Sequence, residues 1–149
     1  MSNKMRYKYG PCVLRSVKKT GTVSVEIGDM IKFTSSGKHT PVTASGDADE
    51  LVGIAMSASP ATDKTATTIR IVEIGHGDVF AFTVASATQT FGQGYVISAD
   101  QTLLKYTGTS HFATATNVVA YCVKDLDTAG TTVLVTFKAG RFQKEIRTS

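Results

Sequence analysis

Tryptophan is absent from this chain of 149 residues, proline occurs three times and cysteine twice. The cysteines, Cys12 and Cys122, are too far apart and too isolated to read as a metal motif. Their apolar neighbours, Val13–Leu14 and Val119–Tyr121, point to buried free thiols. No apolar run approaches the roughly 18 residues of a membrane-spanning helix, so no membrane partner is expected. The opening MSNKMRYKYGPCVL carries basic residues with no apolar stretch behind them, so no secretory signal is expected. No capped amphipathic helical stripe stands out; the nearest candidate is a turn or short helix at SATQTFGQG, weakened by its glycines.

The familiar catalytic and cofactor signatures are missing as well. FGQGYV holds G-x-G without the rest of a dinucleotide fingerprint, and SSGK lacks the remainder of a phosphate-binding loop. There is no G-x-S-x-G nucleophile corner. His39, His76 and His111 are each isolated from a second ligand at metal-binding spacing. Neither cofactor nor metal is therefore expected.

What is present is β-forming. Threonine, valine, alanine and glycine dominate, and β-branched side chains suit a pleated sheet. TVSVEI alternates Val23, Val25 and Ile27 against Thr22, Ser24 and Glu26, which predicts a half-buried strand. Gly28–Asp29 turns it into MIKF. TSSGKHTPV reads as a hairpin centred on Ser36–Gly37, and ASGDADE as a surface loop. LVGIAMSA is a compact apolar strand in which Gly53 marks a bulge or a close backbone approach. TIRIVEI, DVFAFTV, YVIS, TLLKY, NVVAYCV and TTVLVTFK follow, with turns at Gly75–His76–Gly77, Asp100–Gln101 and Asp125–Gly130. This predicts about nine to eleven short strands, hence an all-β fold, a compact β-barrel or β-sandwich-like domain with short turns.

Charge is distributed unevenly. Lys4, Arg6, Lys8, Arg15, Lys18 and Lys19 give the first twenty residues +6 with no acid. The last twelve carry Lys138, Arg141, Lys144 and Arg147 against Glu145, for +3, and the net +4 leaves −5 for the middle. The expected organisation is a basic extended N-terminal arm (1–10), one β-rich domain (11–138) and a basic C-terminal tail (139–149). In the arm, Lys4, Arg6 and Lys8 alternate with Met5, Tyr7 and Tyr9. Extended, it offers charge on one side and larger apolar groups on the other. Such a segment suits strand addition to a protein or, less well, stacking on single-stranded nucleic acid. The acidic middle argues against a broad nucleic-acid track, and nucleic acid is not the expected partner.

SVEIGDMIKF (24–33) and VEIGHGDVFAF (72–82) place Glu26, Asp29, Glu73, His76 and Asp78 beside glycine turns. An acid–base pair needs environments that separate two pKa values, and the sequence supplies no such contrast. Structural roles at turns are expected instead. If the chain were an enzyme, Glu73, His76 and Asp78 would be its least poor site.

VEIGDMIKF, then GKHTPVTASGDADELVGIAMSASPATD, then VEIGHGDVFAF resembles the small capsid decoration, or cement, proteins of tailed bacteriophages. The matching elements are Gly28–Asp29, Gly37 to Pro41, Val52 to Ala55 and Ile69 to Val79, and the likeness covers about residues 22–84. His76–Gly77, inserted before Asp78, departs from the first corner. The resemblance implies a non-enzymatic protein of the virion, bound to the outer surface of the capsid and present in the host cytoplasm during assembly. Its partner would be the major capsid protein, and it would be a homo-oligomer, often a trimer. The residues expected at the capsid or subunit interface are Arg6, Tyr7, Lys8, Tyr9, Arg141 and Phe142. A head–tail or fibre-associated β domain is the alternative virion role, and a small nucleic-acid-binding β-barrel comes after it.

Overall fold

The computed structural model describes residues 4–60, 68–87, 90–99, 101–107, 112–113, 117–123 and 130–139. They form an all-β fold of two antiparallel sheets. The strands are β1 (Arg6–Tyr9), β2 (Leu14–Lys18), β3 (Met30–Phe33), β4 (His39–Pro41), β5 (Leu51–Ala55), β6 (Thr68–Glu73), β7 (Val79–Ala87), β8 (Gly94–Ala99), β9 (Thr102–Lys105), β10 (Val118–Cys122) and β11 (Gly130–Phe137). One sheet runs β1-β7-β11-β10-β8-β9 and the other β2-β6-β5-β3-β4.

The main core lies between the sheets, as in a β-sandwich. Met30, Leu51, Ile54 and Val72 of the five-stranded sheet meet Phe80, Phe82, Tyr95, Ile97, Val133, Val135 and Phe137 of the six-stranded one. Alternation along β11 puts Val133, Val135 and Phe137 inside, as its sequence pattern predicts. Tyr95 stands edge-on to Phe82, and burial pushes its hydroxyl up to about 12. A second cluster of Val17, Val25, Ile31, Val52, Ala55, Ile69 and Ile71 covers the opposite face of the five-stranded sheet. Strand β5 is therefore buried on both faces, which is why it reads as a continuous apolar run.

That second cluster corrects one expectation. TVSVEI is not a strand; Val25 makes a single bridge, its N–H to Ser59 O and the Ser59 N–H to Val25 O, both 2.8 Å. The segment crosses the face of a sheet instead of joining its edge. Val25 is buried and Val23 half-buried beneath it, but the chain turns at Glu26–Asp29 and leaves Ile27 60% exposed. Apolar alternation reports a buried side here, not ladder pairing.

ASGDADE also differs from a plain loop, because Ser45–Glu50 is a 3₁₀ helix. The Asp47 carboxylate accepts the Thr43 and Ala44 N–H groups at 2.8 and 3.1 Å and the Lys32 ammonium at 2.7 Å. Burial pushes its pKa up, but the Lys32 bond and the two backbone donors outweigh that and hold it below the usual carboxylate value.

Neither cysteine forms a disulfide; Cys122 is buried and Cys12 half-buried against the core. The β8–β9 hairpin turns at Gln101, which has φ +59°. Its carboxamide accepts the Met30 N–H at 2.6 Å and donates to Met30 O and Val42 O at 3.0 and 3.1 Å. One side chain thus ties the hairpin of one sheet to strand β3 of the other.

Candidate functional site

The N-terminal segment is a strand of this chain's own fold. Tyr7 pairs with Phe80 and Arg6 with Ala81, which makes β1 an edge of the six-stranded sheet. Just before it, Met5 is buried in the main core and its N–H bonds Gly28 O at 3.0 Å. Gly28 has φ +95°, and a Cβ there would lie 2.6 Å from Met5 O and 2.7 Å from Lys4 Cβ. The neighbouring Asp29 carboxylate is buried; it accepts the Lys4 ammonium and the Glu26 N–H. Burial lowers the Lys4 pKa, but Asp29 and then Glu26 outweigh it and leave it above the ordinary lysine value.

The far end of the segment meets the second glycine-and-acid corner. Gly10, at φ +134°, packs so tightly that a Cβ would sit 2.7 Å from Asp78 Cα. Asp78 Oδ1 accepts the Cys12 N–H at 2.8 Å, and Cys12 itself has φ +55°. The twice-used corner in the sequence therefore supplies two sockets, one at each end of a terminal strand. By strand rise the sockets are roughly 15 Å apart, and their acids do not converge on a shared centre. Glu73 is separately engaged: Oε1 lies 2.8 Å from Arg15 Nε and Oε2 lies 3.1 Å from His76 Nε2.

Of the residues expected at an interface, Arg6, Lys8 and Tyr9 are exposed, Tyr9 by 59%. Arg6 Nη1 donates to Thr83 Oγ1 at 3.3 Å. Tyr7 faces the other way, its ring edge-on to Phe80 at 5.9 Å and its hydroxyl donating to Gly10 O at 2.7 Å. It anchors the strand, while Arg6, Lys8 and Tyr9 form the outward surface. A register irregularity between Tyr7 and Tyr9 sets Lys8 out of the ladder. Arg141 and Phe142 lie outside the described residues, as does His111.

Sequence reasoning missed an aromatic surface at the other side of the same sheet. Phe91 and Phe112 are each 48% exposed, with ring centroids 5.5 Å apart, and Phe112 lies 5.2 Å from Tyr121. Phe112 is held at φ +53° by its N–H bond to Gly92 O at 2.8 Å, and the Tyr121 hydroxyl donates to Ala113 O at 2.7 Å. In the sequence Phe91 and Phe112, like Phe142 in GRFQKEIRTS, are aromatics outside any clear strand, and that signal could have found them.

His39 is buried at the start of β4, where its Nδ1–H donates to Lys18 O at 3.0 Å. Burial is the main cause of a pKa below the ordinary 6.5, and the Arg15 charge adds to it against the opposing Lys18 bond. A lowered folded-state pKa means that stability is fully present above 6.5 and is lost as pH falls through the folded value. Thermal melts between pH 7 and 5 should show a falling midpoint, and His39→Gln should flatten that dependence. An unchanged slope in the variant would assign the effect to other groups.

Among the described residues no group of three or more His, Cys, Asp or Glu is arranged to hold a metal ion, and no helix is long and apolar enough to cross a membrane. Compared with known proteins, the chain matches no family model and no curated sequence.

Proposed function

We propose that this chain is a non-enzymatic capsid decoration protein that binds the outer surface of an expanded phage shell and stabilises contacts between major capsid subunits. The observation that carries the reading is the exposed basic edge β1, with Arg6, Lys8 and Tyr9 directed outward from a compact sandwich. The likeness of residues 22–84 to cement proteins supplies the class of partner. An edge strand offers unpaired backbone groups to a neighbouring chain, and two cations beside them favour an acidic surface. The carboxylates of the two glycine corners, Asp29, Glu73 and Asp78, are engaged in holding the N-terminal segment, Arg15 and His76.

Stabilisation in this reading equals the preference of the protein for the assembled, expanded shell over the free or unexpanded subunit. Many copies, each a homo-oligomer, would multiply modest contacts into high avidity. The protein would sit on the outside of the virion and pass through the host cytoplasm during assembly.

Cryo-electron microscopy of particles carrying the chain tests this directly. Density over junctions between capsid subunits, with β1 facing a neighbour, is the expected result. Arg6→Glu with Lys8→Glu should lower shell affinity on the order of ten-fold at low salt, and less at high salt, as expected for charges at the rim of an interface. Density confined to the tail or portal would replace this reading with the head–tail or fibre role. Salt-sensitive binding to single-stranded nucleic acid, abolished by the same substitutions, would favour the nucleic-acid role.

A further inference from the structure

We propose that β1 exchanges between copies of this chain, the N-terminal strand of one molecule filling the β1 socket of a second to form a reciprocal strand-swapped dimer. The groups that hold β1 and the two residues before it lie mostly in segments distant in sequence: Gly28 O, the Asp29 carboxylate, the β7 edge and Phe80; the Tyr7 hydroxyl adds a local bond to Gly10 O. A second copy presents the same socket, so cis and trans docking make the same contacts. The two states differ only in the link and in the cost of association.

The link is where this chain is under tension. Gly10–Val13 carries the backbone from β1 of one sheet to β2 of the other. To do so it places Gly10 at φ +134° and Cys12, which has a Cβ, at φ +55°. Left-handed geometry at a non-glycine residue is strained, and short strained links at the edge of a fold favour exchange. In the swapped form the link extends toward the partner, and Cys12 gives up its N–H bond to Asp78 Oδ1 in return for an ordinary conformation. The strand is also at a sheet edge, so withdrawing it disrupts one ladder, with β7.

Complementary charge reversal tests the proposal. In Lys4→Asp the strand carries the wrong charge, and in Asp29→Lys the socket does. Neither can form its own ion pair in cis, but a swapped heterodimer restores both. After incubation below the melting temperature, native mass spectrometry of the mixture should show one-to-one heterodimer at least ten-fold above the dimer in either sample alone. Lys4→Asp with Asp29→Lys in one chain should remain a monomer when dilute. A mixture with no more dimer than its components overturns the proposal. If the reversed chains do not fold, deletion of Pro11 decides, because it shortens the link and disfavours cis docking. The expected product is a dimer whose β1 amides exchange slowly with deuterium. A monomer, or a dimer with freely exchanging β1 amides, overturns the exchange.

Discussion

Phe80→Ala should lower stability by about 3–5 kcal/mol, the range for removing a large buried aromatic. For a chain of this size that corresponds to a fall in melting temperature of roughly 10–15 °C. The ring is 1% exposed and stands edge-on to two others, Tyr7 at 5.9 Å and Phe137 at 5.7 Å. It therefore joins the N-terminal strand to the core that β11 contributes. Truncation leaves a cavity between the sheets and also takes away the surface on which Tyr7 rests. Two readouts separate these effects. Calorimetry measures the global loss, and hydrogen exchange should show the β1 amides opening more readily than those of β10 or β11. Phe80→Leu should recover most of the stability while leaving a deficit of about 1 kcal/mol from the lost ring pairs. A loss below 1 kcal/mol for the alanine variant would mean that Phe80 is not a core residue.

The second large effect is expected at Gly53. Its strand, β5, lies between β3 and β6 and is buried on both faces. A Cβ at this position would lie 2.5 Å from Val72 O and 2.9 Å from Ile71 Cδ1. The isoleucine tip can rotate away, but the Val72 carbonyl belongs to the paired strand β6 and can retreat only by distorting the sheet. Gly53→Ala should therefore cost about 3 kcal/mol, the upper end for overpacking, even though alanine is otherwise the better residue in a strand interior. Gly37→Ala is the comparison. Gly37 has φ +80° and a Cβ there meets nothing within 4 Å, so its cost is that of backbone strain alone, about 1 kcal/mol. Chemical denaturation of the two variants distinguishes steric exclusion from backbone strain. Equal losses would refute the steric account of Gly53.

The candidate site was only partly legible. Arg6 and Lys8 are exposed as their alternation with Met5 and Tyr7 predicts, but Tyr9 joins them because the register irregularity after Tyr7 breaks the period of two. The same alternation could not say where the strand would dock, since nothing local to MRYKYG encodes Asp29 or Asp78. Tyr7, expected at the interface with them, turns inward because β7 places Phe80 opposite it. The Phe91–Phe112–Tyr121 surface unites residues from segments that no periodicity connects.

Sequence alone determined the class of fold, because β-branched alternation, frequent glycine turns and the lack of a helical stripe leave only strands. It also located the Ser36–Gly37 hairpin and the tight approach at Gly53. Only the tertiary structure decided that TVSVEI covers a sheet face instead of extending an edge, and that the N-terminal segment is a strand of the fold. Apolar period two reports which side chains seek burial, and that preference is local. The partner that buries them, and the acid that holds a lysine 25 positions away, is chosen by contacts between distant segments. Those contacts form only when both sheets have closed on their shared core.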